Sequence, residues 1–270
     1  MSILEAVVLG AVQGLTEFIP ISSSGHLVVT PALLGWEKPP LSFDVLLHSA
    51  SLLALLVYFS GDLLDIARGV MHGDRTSRRL VLLLGLGTIP AAVAGIAFAG
   101  FFEDQFEDAT GAALQLLLTA VILVVAEASL RFFQRRHART GARLRRMDDL
   151  DVVDAGTVGI AQALAIIPGI SRSGATIGAG LLRGMERDVA ARFAFLLAIP
   201  ALVGAAIVEL PNLGEAPLGV GAAAAGFLAS LVASYAAIWS LIRYLKTRTL
   251  YPFALYCAVA GPLFAVLVSR

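Results

Sequence analysis

Six apolar stretches alternate with charged connections along the chain, at about 43–60, 80–102, 111–132, 189–210, 218–242 and 250–268. Each approaches the ~20 residues that a helix needs to cross a bilayer. Two further apolar regions, about 3–35 and 156–182, are broken by Pro, Gly and hydroxyl residues. Each of these reads as a short helix, a Ser/Gly turn and a second short helix. That is the pattern of a re-entrant hairpin, whose bare backbone survives at membrane depth only where protein or a cavity covers it. Pro90 and Pro200 fall inside spans and predict kinks.

The two broken regions repeat one another. At a shift of 149, Gly10, Gln13, Leu15, Ile21, Ser22, Ser24 and Gly25 match Gly159, Gln162, Leu164, Ile170, Ser171, Ser173 and Gly174 without a gap. Leu33 and Gly35 match Leu182 and Gly184 at the same shift. A match between polar, Gly-punctuated segments points to an internal duplication. The halves are then 1–150 and 151–270, each a hairpin followed by three spans. Three is odd, so the second half enters upside down and the repeat has inverted topology. The expected fold is an all-α integral membrane protein, with six transmembrane helices and two re-entrant hairpins whose tips meet near the midplane. Gly174, Gly178, Gly180 and Gly184 have the spacing that lets helices approach closely.

Composition agrees with a bilayer. The 270 residues are 58% hydrophobic and 15% charged, with mean hydropathy +0.83. A soluble chain carries roughly 25% charged residues. The net charge of zero gives no footprint for nucleic acid. The single Cys257 excludes an internal disulfide and a cysteine metal cluster, and is read as packing. Met1–Glu5 lacks a positive n-region and Glu17 would interrupt an h-region, so no cleavable signal is expected. Arg68, Arg75, Arg78 and Arg79 follow the first span, and seven arginines lie from Arg131 to Arg146. Arg183, Arg187 and Arg192 precede the fourth span, and Arg243, Lys246 and Arg248 follow the fifth. That places 17 of the 20 basic residues on one face, the cytoplasmic one by the positive-inside rule. The opposite loops carry Glu103, Asp104, Glu107, Asp108, Glu209 and Glu215, with only Lys38 and Arg270 basic. Both termini and the first hairpin then lie outside. If 156–182 crossed once, its flanking arginines would fall on opposite sides, so it returns to the face it entered.

The hairpins hold the candidate chemistry. Gln13 and Glu17 are four apart and share a helix face. A carboxylate at membrane depth costs ~2.5 kcal/mol or more and usually serves function, though a structural pairing with Arg172 is the alternative. Gln13 has the alternative of satisfying hairpin backbone. The turns Ser22-Ser23-Ser24-Gly25 and Ser171-Arg172-Ser173-Gly174 precede second half-helices, whose free N–H groups bind anions. Capping alone, by Ser24 and Ser173, is the plainer reading. Capping does not call for Arg172, whose planar bidentate donors suit phosphate. His26 lies one turn from Ser22 and Ser23. His48 and a Glu127–Arg131 pair read as structural.

Gln13-x-x-x-Glu17, Pro20-Ile-Ser-Ser-Ser-Gly-His26 and Pro168-Gly-Ile-Ser-Arg172-Ser-Gly-Ala-Thr176 resemble the signature motifs of bacterial undecaprenyl-diphosphatase, the bacitracin-resistance family. The likeness runs the full length. The family's first motif takes Glu or Gln at its first position, and here Gln13 leaves Glu17 as the one carboxylate. The resemblance implies hydrolysis of undecaprenyl diphosphate to undecaprenyl phosphate and inorganic phosphate. That recycles the lipid carrier for cell-wall synthesis in the bacterial plasma membrane. The expected catalytic residues are Glu17, His26, Ser23 and Arg172. Phosphate is expected to meet Arg172, Ser22, Ser24, Ser171, Ser173 and Thr176. A divalent cation, Mg or Ca, is expected on Glu17 with Gln13. Water activated by Glu17 or His26, and attack by Ser23 or His26, both remain open. The partners are the polyprenyl diphosphate and membrane lipids, with no nucleic acid; a homodimer is compatible with this reading. The rival class is a polyprenyl-phosphate flippase, since inverted repeats with broken helices are also a transporter layout.

Overall fold

The computed structural model of the protein describes residues 1–97, 108–141, 143–209 and 219–268. Glu103, Asp104, Glu107, Glu215 and Arg270, used above for orientation, lie outside the described residues. In chain order the helices are α1 (Ile3–Phe18), α2 (Ser23–Leu34), α3 (Leu41–Tyr58), α4 (Ser60–Met71), α5 (Arg75–Ala97) and α6 (Ala109–Thr140). After a short 3-10 turn come α7 (Val152–Leu164), α8 (Arg172–Leu182), α9 (Arg187–Glu209), α10 (Val220–Leu245) and α11 (Tyr251–Val268). Among the described residues there is no strand. Six helices, α3, α5, α6, α9, α10 and α11, are long and apolar enough to cross a membrane, at the six expected places. The chain is an all-α integral membrane protein. Pro90 and Pro200 lie inside α5 and α9, which run on through them.

Helix α4 is a finding that the hydrophobic pattern did not predict. It follows α3 directly after Phe59, and its Leu63 packs on the main core. Its Asp62 accepts from Arg192 at 3.0 Å, tying it to the start of α9. Twelve residues of mixed polarity are too few and too polar to register as a span.

Both hairpins begin with a helix that uses glycine to lie against a span of the other half. In α1, a Cβ on Gly10 would strike the Gly226 carbonyl of α10, and one on Gly14 would come 2.7 Å from both Ala233 Cβ and Ser234 N. In α7, a Cβ on Gly159, the repeat partner of Gly10, would strike the Gly87 carbonyl of α5. Dispersion and close backbone approach hold helices together where lipid is as apolar as leucine. A hydroxyl cluster adds to this behind α1. Ser234 donates to Ser51 at 2.9 Å, and Ser230 donates to the Leu47 carbonyl at 2.9 Å, joining α10 to α3. In α8 the glycine stripe serves two neighbours. Gly178 faces Ile122 and Ala126 of α6, Gly180 faces Ala190 of α9, and Gly184 instead makes a left-handed turn at φ +74°.

An arginine-rich strap joins the two ends of the second hairpin. Arg145 N donates to Gly184 O at 2.9 Å, and Glu186 N donates to Arg145 O at 3.1 Å. Buried Asp154 accepts from Arg145 at 3.1 Å and from Arg183 at 2.8 Å. The segments before α7 and after α8 therefore lie side by side, as the arginine argument requires. Glu127 is not paired with Arg131, as the i,i+4 spacing suggested. It takes Arg187 from α9 and the Leu250 amide at 3.2 Å, while Arg131 lies 4.6 Å over the Tyr251 ring. A fully buried carboxylate needs several donors, and a neighbour on its own helix supplies fewer than a convergent second element.

Two outcomes follow from this packing. Gly14→Ala should lower the melting temperature in detergent, by on the order of 1–3 kcal/mol of overpacking. Gly85→Ala in α5, where nothing stands within 4 Å of the new methyl, should leave it unchanged or raise it. The strap has a defined acid limit. The hydrogen bond from Arg145 pulls the Asp151 carboxyl down to about 2. Its stabilising share is therefore complete at neutral pH, declines only below the unfolded aspartate value of ~4, and is lost as pH falls through about 2. Hydrogen exchange of the Arg145 and Glu186 amides, corrected for intrinsic rates, should show constant protection from pH 8 to 5.

Candidate functional site

The two hairpin tips are built by different turns. In the second, Ile170 N donates to Ile167 O at 3.2 Å around Pro168-Gly169, with Gly169 at φ +87°. This is the Pro-Gly β-turn that needs a left-handed second residue. A Cβ there would strike the Ala112 carbonyl of α6. In the first tip, Ile21 N donates to Ile19 O at 2.7 Å across Pro20, and Ser22 stands at φ +71°. Among the described residues Ser22 is the one non-glycine at positive φ.

The serines divide the work of the tips. Ser22 caps α2 by accepting from Gly25 N at 3.3 Å, and Ser171 caps α8 by accepting from Gly174 N at 3.0 Å. This corrects the expectation that Ser24 and Ser173 would be the caps. A capping oxygen reaches the amide three residues on, and these helices start at residues 23 and 172. The third residue of each turn, a serine in both, reaches the other tip instead. Gly169 N donates to Ser24 Oγ at 3.3 Å, and Ser173 Oγ donates to Ile19 O at 3.3 Å.

At this junction Glu17, at 6% exposure, gathers the remaining groups. Its Oε2 accepts from Ser23 Oγ at 2.6 Å and from Gln13 Nε2 at 3.0 Å, and its Oε1 meets the Arg172 guanidinium. His48 Nε2 of α3 lies 3.7 Å from Oε2, so His48, read from sequence as structural, borders the carboxylate. Gln13 is fully buried and its Oε1 has no hydrogen-bond partner among the described residues. Arg172 keeps about a quarter of its side-chain surface open. His26 is buried on α2, with Nδ1 2.7 Å from the Ser22 carbonyl and Nε2 2.7 Å from the Tyr256 hydroxyl.

Of the expected site residues, Glu17, Ser23, Arg172 and Gln13 are in mutual contact through the carboxylate. Ser22, Ser24, Ser171 and Ser173 surround them in the two turns. Thr176 stands apart, since its hydroxyl donates back to the Arg172 carbonyl at 2.8 Å. Two residues went unnoticed in the sequence. Thr119 of α6 holds the second tip, donating to Gly169 O at 3.2 Å and accepting from Ser171 N at 2.9 Å. It was legible only as a lone hydroxyl in an apolar span. Tyr256 of α11 carried no signal at all, because an aromatic in a span is ordinary.

The arrangement sets an acceptor beside a hydroxyl and a guanidinium beside both, within apolar surroundings that strengthen each interaction. Such a site can polarise an O–H bond and neutralise an anionic group at one point.

A protein named undecaprenyl-diphosphatase from Gloeobacter violaceus is 41% identical over 277 residues, covering 100% of this chain and 93% of that one. One of the same name from Geobacter sulfurreducens is also 41% identical, covering 97% of this chain and 96% of its own. A third, from Methanosphaera stadtmanae, is 36% identical, with 99% and 98% covered. The family described as bacitracin resistance protein BacA matches residues 6–263, and the chain belongs to it.

Proposed function

We propose that this protein is a membrane phosphatase, hydrolysing undecaprenyl diphosphate to undecaprenyl phosphate and inorganic phosphate. This would return the lipid carrier to cell-wall synthesis and confer bacitracin resistance. The names of the relatives support the substrate, and one contact carries the chemistry. The Ser23 hydroxyl donates to Glu17 at 2.6 Å, on the carboxylate whose other oxygen meets Arg172. Ser23 is the nucleophile in this reading. Its proton passes to Glu17 as Oγ attacks the terminal phosphorus, the bridging P–O bond breaks, and undecaprenyl phosphate leaves. Water then cleaves the phosphoserine, releasing phosphate and restoring the hydroxyl. His26 itself is the weaker nucleophile, because both of its ring nitrogens are already hydrogen-bonded. We assign it to proton transfer, one turn along α2 from Ser23.

Arg172 serves as the charge clamp, exchanging Glu17 for a phosphate oxygen, with the amides opening α2 and α8 beside it. Ser24 and Ser173 hold the tips together, and Ser22 and Ser171 set the helix starts that aim those amides. Thr176 secures the first turn of α8. A divalent cation would be held by Gln13 Oε1, unpartnered among the described residues, and by His48 Nε2, beside the Glu17 carboxylate. Bound there, such an ion would supply further neutralisation of phosphate charge.

In the bilayer, the hairpins α1–α2 and α7–α8 are re-entrant and the halves 1–150 and 151–270 form an inverted repeat. The reciprocal glycine packing of α1 on α10 and of α7 on α5 supports this. By the arginine distribution both termini and the first hairpin lie on the outer side of the plasma membrane. The same reciprocal packing gives lipid translocation some standing as a second activity. Phosphate release without lipid scrambling in proteoliposomes would discard it.

Purified protein should release phosphate from undecaprenyl diphosphate, and a chelator should slow it. Arg172→Ala should lower kcat/KM by about 10²–10³-fold without loss of fold. Ser23→Ala should remove activity together with an acid-quenched phosphoserine at residue 23. Substantial turnover in Ser23→Ala would replace the covalent route with direct attack by water. For orientation, a Cys257→Ser background carrying Ser2→Cys should react with an impermeant maleimide in intact cells, and one carrying Arg75→Cys only after permeabilisation.

A further inference from the structure

The histidine of the first tip is enclosed by the last helix of the chain. Its Nδ1 faces the Ser22 carbonyl at 2.7 Å, and a carbonyl can only accept, so Nδ1 carries the proton. In the neutral ring Nε2 is then the acceptor, and its 2.7 Å partner, the Tyr256 hydroxyl, is the donor. The same tyrosine ring stacks on the imidazole, with centroids 5.7 Å apart and planes 15° from parallel. Phe264, two turns further along α11, meets the imidazole edge-on at 5.8 Å. One helix thus fixes the tilt of a side chain 230 residues away and occupies its basic nitrogen. Exposure is divided unevenly between the pair: His26 is 8% exposed and Tyr256 40%.

We propose that Tyr256 is a further functional residue of this site, positioning His26 and relaying its proton. Because Nε2 is already occupied by the hydroxyl, a proton reaches the imidazole along that O–H···N contact. The tyrosine gives its hydrogen to Nε2 while its oxygen takes one from the water that attacks the phosphoserine. As the Oγ–P bond breaks, Glu17 returns its proton to Ser23, and the imidazolium passes its own back through the tyrosine to the departing phosphate, so neither His26 nor Tyr256 changes its net protonation over a turnover. A tyrosine hydroxyl suits both phases, donating to neutral imidazole and accepting from imidazolium. A packing role for the ring would need no hydroxyl, and this position has one aimed at the acceptor nitrogen of His26.

This inference rests on the proposed phosphatase reading, and its test separates the two. Tyr256→Phe keeps the stacked ring and removes only the oxygen. It should lower kcat about 10²-fold with little change in KM, the scale of a lost proton-transfer group. In a His26→Asn background the same change should add almost nothing, since groups acting as one unit are not additive. Nitrogen NMR should show the Nδ1–H tautomer of His26 in both proteins, held by the Ser22 carbonyl, with the Nε2 resonance moving toward that of a free acceptor nitrogen in Tyr256→Phe, with or without substrate. Independent, multiplying losses in the double variant, or wild-type kcat in Tyr256→Phe, would overturn the relay. If the parent protein releases no phosphate at all, the phosphatase reading falls, while the Nε2 resonance still decides whether Tyr256 donates to the imidazole.

Discussion

An acid and a guanidinium, each costly in an apolar medium, can share that medium only in contact. Glu17 comes from the first hairpin and Arg172 from the second, so their pairing fixes where two separately inserted elements meet. A buried ion pair is weak evidence of stability, because desolvation can consume what attraction supplies. Its stronger role is register. Neither hairpin can slip by a helical turn without stranding a charge. Arg172 nevertheless keeps partial exposure, and Glu17 keeps a hydroxyl and an amide as alternative donors. The pair is thus held firmly enough to place the tips and loosely enough for an anion to enter it.

The sequence match between the two hairpins places two partners of Glu17 at equivalent positions. A shift of 149 carries Ser23 onto Arg172, and each is the first residue of the second helix in its hairpin. Both side chains reach the same carboxylate. The shift carries Glu17 onto Ile166, so the second half has no acid of its own at that position. The first turn supplies a hydroxyl beside the acid and the second a cation, with the serines on either side of each used for capping and cross-linking. Gln162, the partner of Gln13, remains buried with its amide unpaired by protein atoms. No carboxylate stands four residues on to receive it.

The spans and hairpins were legible because apolar length and its interruption are local properties of sequence. Arginine placement was equally legible, and the contact of Arg145 with the Gly184 turn agrees with it. The motif residues announced themselves by being polar where polarity is expensive. What could not be read were side chains of ordinary type made special by a distant neighbour. Thr119 differs from any span threonine only because Gly169 and Ser171 come to rest against it. Tyr256 likewise gains its meaning from His26, and Arg187 from Glu127. His48 was visible as a histidine, but its helix had to be packed before it faced Glu17.

The strained serine follows from the same comparison of halves. Position 20 is proline where its repeat partner, position 169, is glycine. Glycine takes φ +87° at no steric cost and completes the second turn early, so Ser171 caps from an ordinary φ of −70°. Proline is locked near φ −65° and cannot make that bend. The left-handed residue is displaced two positions, onto Ser22, where a Cβ costs roughly 1–3 kcal/mol. Glycine at 22 would relieve the strain but would lose the oxygen that caps α2. Four contacts hold Ser22 in place: the Gly25 amide and the Ser24 hydroxyl on its hydroxyl, and the His26 amide and imidazole on its carbonyl. The backbone bend that Pro20 forces on the first tip is thus what gives His26 its carbonyl partner, and with it the proton arrangement that Tyr256 completes.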